Sequence, residues 1–514
     1  MSRRQVLRAL AAGGLAATAS GVLLSSEWAL AATPTPKKGG RLKIATQSSS
    51  NADTLDPAKC ALSTDYLRVN LFYNGLTKLD SSLTPQGVLA EEIDTQDAIS
   101  WIIKLRKNVR FHDGQPLTPA DVVYSLSRHK DASLGSKAKV IADQFASVTA
   151  SGANQVTIKL VSANADLPAI LADAHFLIIK DGTNNFSTAV GTGAFKCQEF
   201  KPGVRTLAVR NDEYWKPALP YLDEIELLGI PDEAARVNAL LSGEVHWINN
   251  VDPRSVLRVK ATPGYSVLEN KTGGYTDLII RQDLLPGSSI DFTLGMKLLM
   301  NRQQMRSVAA HGFADLGNDQ PIPPSNRFYF ADLPQRPYDP DKAKFYLKKA
   351  GVLGTTIPIV CSEAADNSVD MALLMQQSAQ DIGLTLEVQR VPPDGYWSKY
   401  WMKSPVGFGN INPRPTADLI FTQFFKSDAA WNESAWKNPQ FDQLLLAARA
   451  ERNEGKRKQM YADMQVLVNQ KCGIGIPLFF HNLEGVNAQI KGIESIPLGA
   501  FMGYTAAEYV WLDV

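Results

Sequence analysis

Residues 407–425 gather the side chains best suited to holding a charged small molecule. Pro413 and Pro415 bracket Arg414. Proline fixes its own φ and restricts the residue before it, so an extended, exposed loop is expected. Asn410 and Asn412 precede the loop, and Asp418 closes it just before the apolar run 419–425. A guanidinium grips a carboxylate with two parallel hydrogen bonds, and a compact ammonium wants a desolvated carboxylate. Arg414 and Asp418 could therefore serve the two ends of a zwitterion. A structural alternative stands beside this: Asp is favoured at helix starts, so Asp418 could be a cap and Arg414 a surface cation. Tyr396, Trp397, Tyr400, Trp401 and Phe408 lie upstream. Ligand sites are mostly apolar with a few placed polar groups, so these rings could wall a pocket or fill a core. Trp397 and Phe408 are the expected wall residues.

Catalytic patterns are missing from the sequence. It has no G-x-S-x-G, no H-E-x-x-H and no P-loop. Gly191-Thr-Gly193 lacks the third glycine of a dinucleotide fingerprint and reads as a tight backbone turn. The six histidines stand singly, so His112 and His129 are expected in a turn and on the surface, not as metal ligands. Cys60, Cys197, Cys361 and Cys472 show no CxxC spacing, which argues against structural zinc. The expectation is no catalytic residue, no metal and no cofactor. A secreted enzyme that carries a cofactor is the alternative of a different class.

The ends and the charge bound the compartment and the partner. Ser2-Arg-Arg-Gln-Val-Leu-Arg8 is close to a twin-arginine pattern, and Ala29-Leu-Ala31 is an A-x-A cleavage site. The uncharged run 9–24 is too short and too weakly apolar for a stable membrane span. Residues 1–31 thus read as an export signal cut after Ala31, which gives a periplasmic protein. The formal net charge is +1, and removing Arg3, Arg4, Arg8 and Glu27 leaves about −1. Nucleic acid and anionic lipid need a basic field, so neither is an expected partner.

Behind the signal, the elements alternate. Leu42 opens a short strand. Asp113-Gly114 is a turn pair, and Thr118, Pro119 and Asp121 form a capping box with proline at the first helical position. Asp232 is expected to cap a helix over 233–241, with Gly243 ending it. Further helices are expected over 339–351, 369–382, 438–446 and 456–469. Strands at 357–361 and 384–391 flank one of them as a strand–helix–strand unit. The pattern is mixed α/β over a length sufficient for two or three cores.

Residues 105–128 resemble a signature of the family 5 solute-binding proteins, the oligopeptide-, dipeptide- and nickel-binding components of ABC importers. Gly39-Gly-Arg-Leu-Lys-Ile-Ala45, Thr54-Leu-Asp-Pro-Ala58, Leu71-Phe-Tyr-Asn-Gly-Leu76 and Val190-Gly-Thr-Gly-Ala-Phe195 are similar to family blocks. So are Asn211-Asp-Glu-Tyr-Trp215 with Tyr221-Leu-Asp-Glu-Ile225, and residues 235–245. Residues 292–302 match more loosely, with Asn301 where the family has Asp.

The resemblance implies a two-lobed periplasmic-binding-protein fold of the cluster C type. Its first lobe would take residues 39–286 and 484–514, with an extra subdomain over 77–189, and its second lobe 287–483. The chain would cross between lobes near 283–287 and 480–484. Cys60 could then pair with Cys197 and Cys361 with Cys472, or all four could stay as buried thiols. Asp418 falls where peptide-binding members place an Asp on the ligand's α-ammonium. Gln47, Ser48 and Asn51 would face the cleft, joined by Tyr66, Gly193 and Tyr504, with Arg281 near the hinge. The implied role is capture of a peptide or peptide-like zwitterion by hinge closure and delivery, as a monomer, to an inner-membrane ABC permease. An opine, a sugar conjugate or a metal chelate is the alternative cargo.

Overall fold

The computed structural model describes residues 35–513. The export signal expected over residues 1–31 lies outside them. The fold is α/β and two-lobed. Ten strands of the described residues share one sheet. Across it run Val406–Ile411, Tyr265–Ile280, Leu478–Asn487, Trp247–Ile248, Arg41–Thr46, Glu224–Gly229, Arg205–Arg210 and Phe195–Lys201. Arg41–Thr46 pairs in parallel with Glu224–Gly229 and with Trp247–Ile248, so the first strand is central and flanked on both sides. Its alternate residues Leu42 and Ile44 are fully buried.

The two lobes are joined through strands. Tyr265–Ile280 pairs antiparallel with 482–487 over its first half. An irregularity follows between Asn270 and Gly274, and the second half pairs with Val406–Ile411. Leu478–Asn487 makes the return journey: its start pairs with Ala314–Leu316, its remainder with the first lobe. Gly273 turns the chain at φ +80°, and a Cβ there would lie 2.4 Å from the Pro323 ring, so only glycine fits. The strand's partners thus change at 270–274, ahead of the 283–287 expected from sequence for the first crossing between lobes. At that later position Arg281 is held by Asp283 (2.8 and 2.6 Å).

A separate antiparallel sheet of Ala90–Thr95, Ser100–Leu105, Gln155–Leu160 and Phe145–Gly152 has its own core around Ile103, Val122, Leu126 and Ile158. The capping box forms as expected: Thr118 donates its N–H to Asp121 Oδ2 at 2.7 Å, and helix Pro119–Ser127 follows. Asp232, Asp339 and Asn438 each accept a backbone N–H three residues on, at 2.7, 3.0 and 3.1 Å. Local chemistry thus sets these starts. The helix expected over 456–469 is longer, Glu454–Lys471, because Asn453 caps it earlier.

The second lobe packs around two cores. One holds Phe292, Met296, Leu347, Met375 and Phe408, the other Phe421, Phe441, Tyr461 and Val468. All four cysteines are free thiols; three are buried and Cys197 is half-buried. His129 is buried, not on the surface: its Nδ1 meets Ser136 Oγ at 2.6 Å and its ring packs on Phe176.

Candidate ligand-binding cleft

Between the lobes lies a cavity of about 1140 Å³. Gln47, Tyr66 and Tyr504 line it from the first lobe, with Asp173 and His175 beside them. Asn410, Asn412 and Arg414 line it from the second, with Gln423 and Trp431. Six of the residues expected from sequence are therefore brought together: Gln47, Tyr66, Asn410, Asn412, Arg414 and Tyr504.

The Pro413–Pro415 loop does extend into the cleft. Arg414 Nε donates to Gln423 Oε1 at 2.8 Å, and Nη1 donates to the Asn412 carbonyl at 3.0 Å. Its guanidinium lies 5.5 Å from the Phe424 ring centre, a cation–π contact. Among the described residues no carboxylate pairs with it. Partial burial holds its pKa below the ordinary arginine value, because charge is disfavoured where water is scarce.

Opposite stands a carboxylate and ring cluster. Asp173 Oδ1 accepts from the His175 ring at 2.6 Å and from the His175 backbone N–H at 2.9 Å. The far nitrogen of that ring meets the Cys60 carbonyl at 3.0 Å. Burial disfavours the charged ring, but the bond and charge of Asp173 outweigh it, and His175 titrates above its ordinary value. Asp173 moves the other way: burial raises it, and His175 brings it below the usual carboxylate range. Tyr66 packs edge-on to His175 at 5.5 Å and tilted against Tyr504 at 5.4 Å. Trp431 is 46% exposed within the cleft.

The remaining expected residues lie elsewhere. Asp418 is buried, and its Oδ1 accepts from Arg449 Nε at 2.9 Å. Burial raises its pKa, and Arg449 offsets part of that. The helix cap beside it is Thr416, which accepts the Leu419 N–H at 3.2 Å, so Asp418 is neither cap nor cleft residue. Phe408 is fully buried in the second-lobe core. Trp397 is 42% exposed and packs edge-on to Trp401 outside the cavity. Ser48 offers its carbonyl to Thr46 Oγ1 at 3.0 Å. Asn51 lies against Gly203. Gly193 donates its N–H to Phe72 O at 2.9 Å, and a Cβ there would lie 2.4 Å from the Phe72 carbonyl carbon, so close packing explains it. Arg281 is taken by Asp283 and the Met402 carbonyl. Asp173, His175 and Trp431 were not anticipated; nothing in their local spacing marks them.

Under the second-lobe wall, Asp277 and Glu433 are fully enclosed and share one site, while Trp401 Nε1 donates to Glu433 Oε1 at 2.6 Å. A Cβ on Gly409 would lie 2.2 Å from Glu433 and 2.7 Å from Asp277, so glycine makes room for both acids. Burial and then the charge of Asp277 push Glu433 well above the carboxylate range, and burial raises Asp277 too. The folded pair holds a proton that the unfolded chain has released, so stability falls as pH rises from about 4, the free carboxylate range, through neutrality. Asp277→Asn places an amide donor on the remaining carboxylate, a bond worth about 1.5–3 kcal/mol. Urea unfolding of Asp277→Asn should show a flatter stability profile from about pH 4 to neutrality than the parent. A decline as steep as the parent's would show that the pair shares no proton.

A family model, the bacterial extracellular solute-binding proteins, family 5 Middle, matches residues 84–433. The heme-binding protein A of Haemophilus influenzae is 25% identical over 483 residues, covering 85% of this chain and 86% of its own length. The dipeptide-binding protein of Escherichia coli is 24% identical over 478 residues, covering 84% of this chain and 87% of its own. In fold, the chain is similar to HbpA2 from Haemophilus parasuis, with a TM-score of 0.82 and 19% identity over 92% of this chain and all of that one. It is likewise similar to a periplasmic DppA from Helicobacter pylori, solved with the peptide STSA, with a TM-score of 0.76 and 20% identity over 93% of this chain and 99% of that one. The chain therefore belongs to the bacterial extracellular solute-binding proteins, family 5, and serves an ABC transport system by binding solute, not as an enzyme.

Proposed function

We propose that the cleft captures a short peptide or small peptide-like zwitterion, and that closure of the lobes over it presents the complex to an ABC permease. The observation that carries this is Arg414: a half-buried guanidinium in the cleft with no carboxylate partner among the described residues, sharing the cavity with the Asp173–His175 pair. Arg414 and Asp173 feel each other's charge across the cavity. A ligand carboxylate would fit the guanidinium, and a ligand ammonium would fit Asp173. The dipeptide-binding relative and the peptide-bound neighbour support the same class. In this reading residues 1–31 are a twin-arginine signal removed after Ala31, and the exported protein acts as a monomer. Lobe one runs from residue 39 to the first crossing at 270–274 and resumes at about 482. The antiparallel sheet within 77–189 is its extra subdomain.

The test is direct. Mass spectrometry of whatever co-purifies with the exported protein should return peptides. Arg414→Ala, titrated calorimetrically with trialanine, should lose about 10- to 100-fold in affinity, the equivalent of about 1.5–3 kcal/mol for a hydrogen bond to a charged group. Unchanged affinity in Arg414→Ala would remove the carboxylate anchor from this account.

A further inference from the structure

The C-terminal segment reaches the cleft through an improbable backbone. Phe501, Met502, Gly503 and Tyr504 follow one another at φ 53°, 57°, 61° and 70°. They form one left-handed turn, and three of the four carry a Cβ. Left-handed conformation is disfavoured for every residue but glycine, and a run of it persists only where the surroundings over-determine it. Met502, Gly503 and Tyr504 all line the cavity, and Tyr504 supports Tyr66.

Two side chains hold the turn, and both sit on the strands that cross between lobes. Glu484, on Leu478–Asn487, is 2% exposed, and its Oε2 accepts the Phe501 N–H at 2.8 Å and the Trp247 Nε1–H at 2.9 Å. Trp247 in turn packs edge-on to the Phe501 ring at 5.4 Å. Asn270, at the irregularity in Tyr265–Ile280, donates to the carbonyls of Ile496 and Gly499 at 2.9 and 2.7 Å. Gly499 leaves room for the turn: a Cβ there would lie 2.7 Å from the Tyr504 ring. No cation pairs with Glu484 among the described residues. A buried carboxyl is retained at a cost unless its hydrogen bonds are used, and here both lead to the turn.

We infer that Glu484 is a positioning residue of the ligand site: it holds residues 501–504 in the left-handed turn that places Met502 and Tyr504 against the ligand. This rests on the reading of the cleft as the ligand site. If release of the turn leaves the binding arrangement in about a tenth of molecules, apparent affinity falls about tenfold, because affinity scales with the competent fraction.

The experiment compares the parent, Glu484→Ala and Glu484→Gln as full exported chains. Hydrogen–deuterium exchange should show the amides of 500–505 losing protection by about tenfold or more in Glu484→Ala, with the strands 41–46 and 224–229 unchanged. Trialanine affinity should fall about tenfold in Glu484→Ala. Glu484→Gln, which keeps an acceptor for both N–H groups, should restore both measures. Unchanged protection of 500–505 in Glu484→Ala overturns the proposal. So does loss of protection across the whole first lobe that Glu484→Gln fails to restore, because Glu484 would then be a core residue. If the parent itself ignores trialanine, the peptide reading fails, and the exchange comparison alone upholds or overturns the role of Glu484.

Discussion

Asp166→Ala is expected to lower the unfolding free energy by about 3–5 kcal/mol, the cost of stranding buried charge. Asp166 is 1% exposed at its side chain. It belongs with the antiparallel sheet of 90–160, yet its carboxylate reaches Arg457 at 2.7 Å and Arg327 at 3.5 Å, both on the opposite lobe. Its neighbours join the same contact: Ala165 donates its N–H to the Arg449 carbonyl at 2.8 Å, and Arg452 donates to the Gln96 carbonyl at 2.8 Å. Removing the carboxylate leaves Arg457, 6% exposed at its side chain, without its ion-pair partner, and Arg457 regains water only if the lobes part, whereas Arg327 is already 26% exposed. Urea unfolding reads the stability loss, and small-angle scattering of the ligand-free variant should show a larger radius of gyration. A variant as stable and as compact as the parent would show that this contact carries no weight.

Asp319→Ala should cost at least as much, about 3–5 kcal/mol, and the loss should fall on the second lobe. Asp319 is fully buried, accepts from Arg302 at 2.7 Å and Arg336 at 2.6 Å, and takes the Ile476 N–H at 3.1 Å. Lys297 lies close by, pushed down to about 8 by burial, with its ammonium on the Asn469 carbonyl at 3.1 Å. One anion thus serves several enclosed cations. Burial alone would raise Asp319, but Arg302, Lys297 and Arg336 together bring it below the usual range. A depressed carboxylate contributes stability above its unfolded pKa of about 3.9 and loses it as pH falls through the folded value. The parent should therefore lose stability in acid, and Asp319→Ala should be weak already at neutral pH with a smaller further acid loss. Chemical unfolding at pH 3 and pH 7 checks both halves. Equal acid sensitivity in parent and variant would contradict the assignment.

Much of the fold is legible in the sequence where the cause is local. The Thr118–Asp121 box, the Asp232 and Asp339 caps and the Gly114 turn at φ +84° depend on residues within a few positions, so spacing reveals them. The cleft is only partly legible. The prolines around Arg414 do push it outward, and the flanking asparagines come with it. Asp418 carries the same residue type in a suitable place, but its partner Arg449 lies 31 residues away on another helix, and that contact draws it inward. Asp173 and His175 look ordinary in sequence; the cleft forms around them because His175 bonds to Cys60, 115 residues earlier. The change of strand partners at 270–274 is hidden in the sequence for a related reason. A continuous 16-residue strand conceals the change of lobe, since only its partners change along its length.

The crossing strands have a consequence for the order of synthesis. With the lobes divided as proposed, the second, from 275 to 480, is one uninterrupted stretch of chain, whereas the first is interrupted by all of it. Trp247–Ile248 is paired on one side with Arg41–Thr46 and on the other with residues 485–486, near the end of the chain. The two ends meet again where Lys37 pairs with Asp513 at 2.7 Å. As the polypeptide leaves the ribosome, the lobe encoded first is the last to be completed, and its inner strand lacks a partner on one side until residues 485–486 have been added. A chain truncated before residue 482 lacks the strand that closes the first lobe.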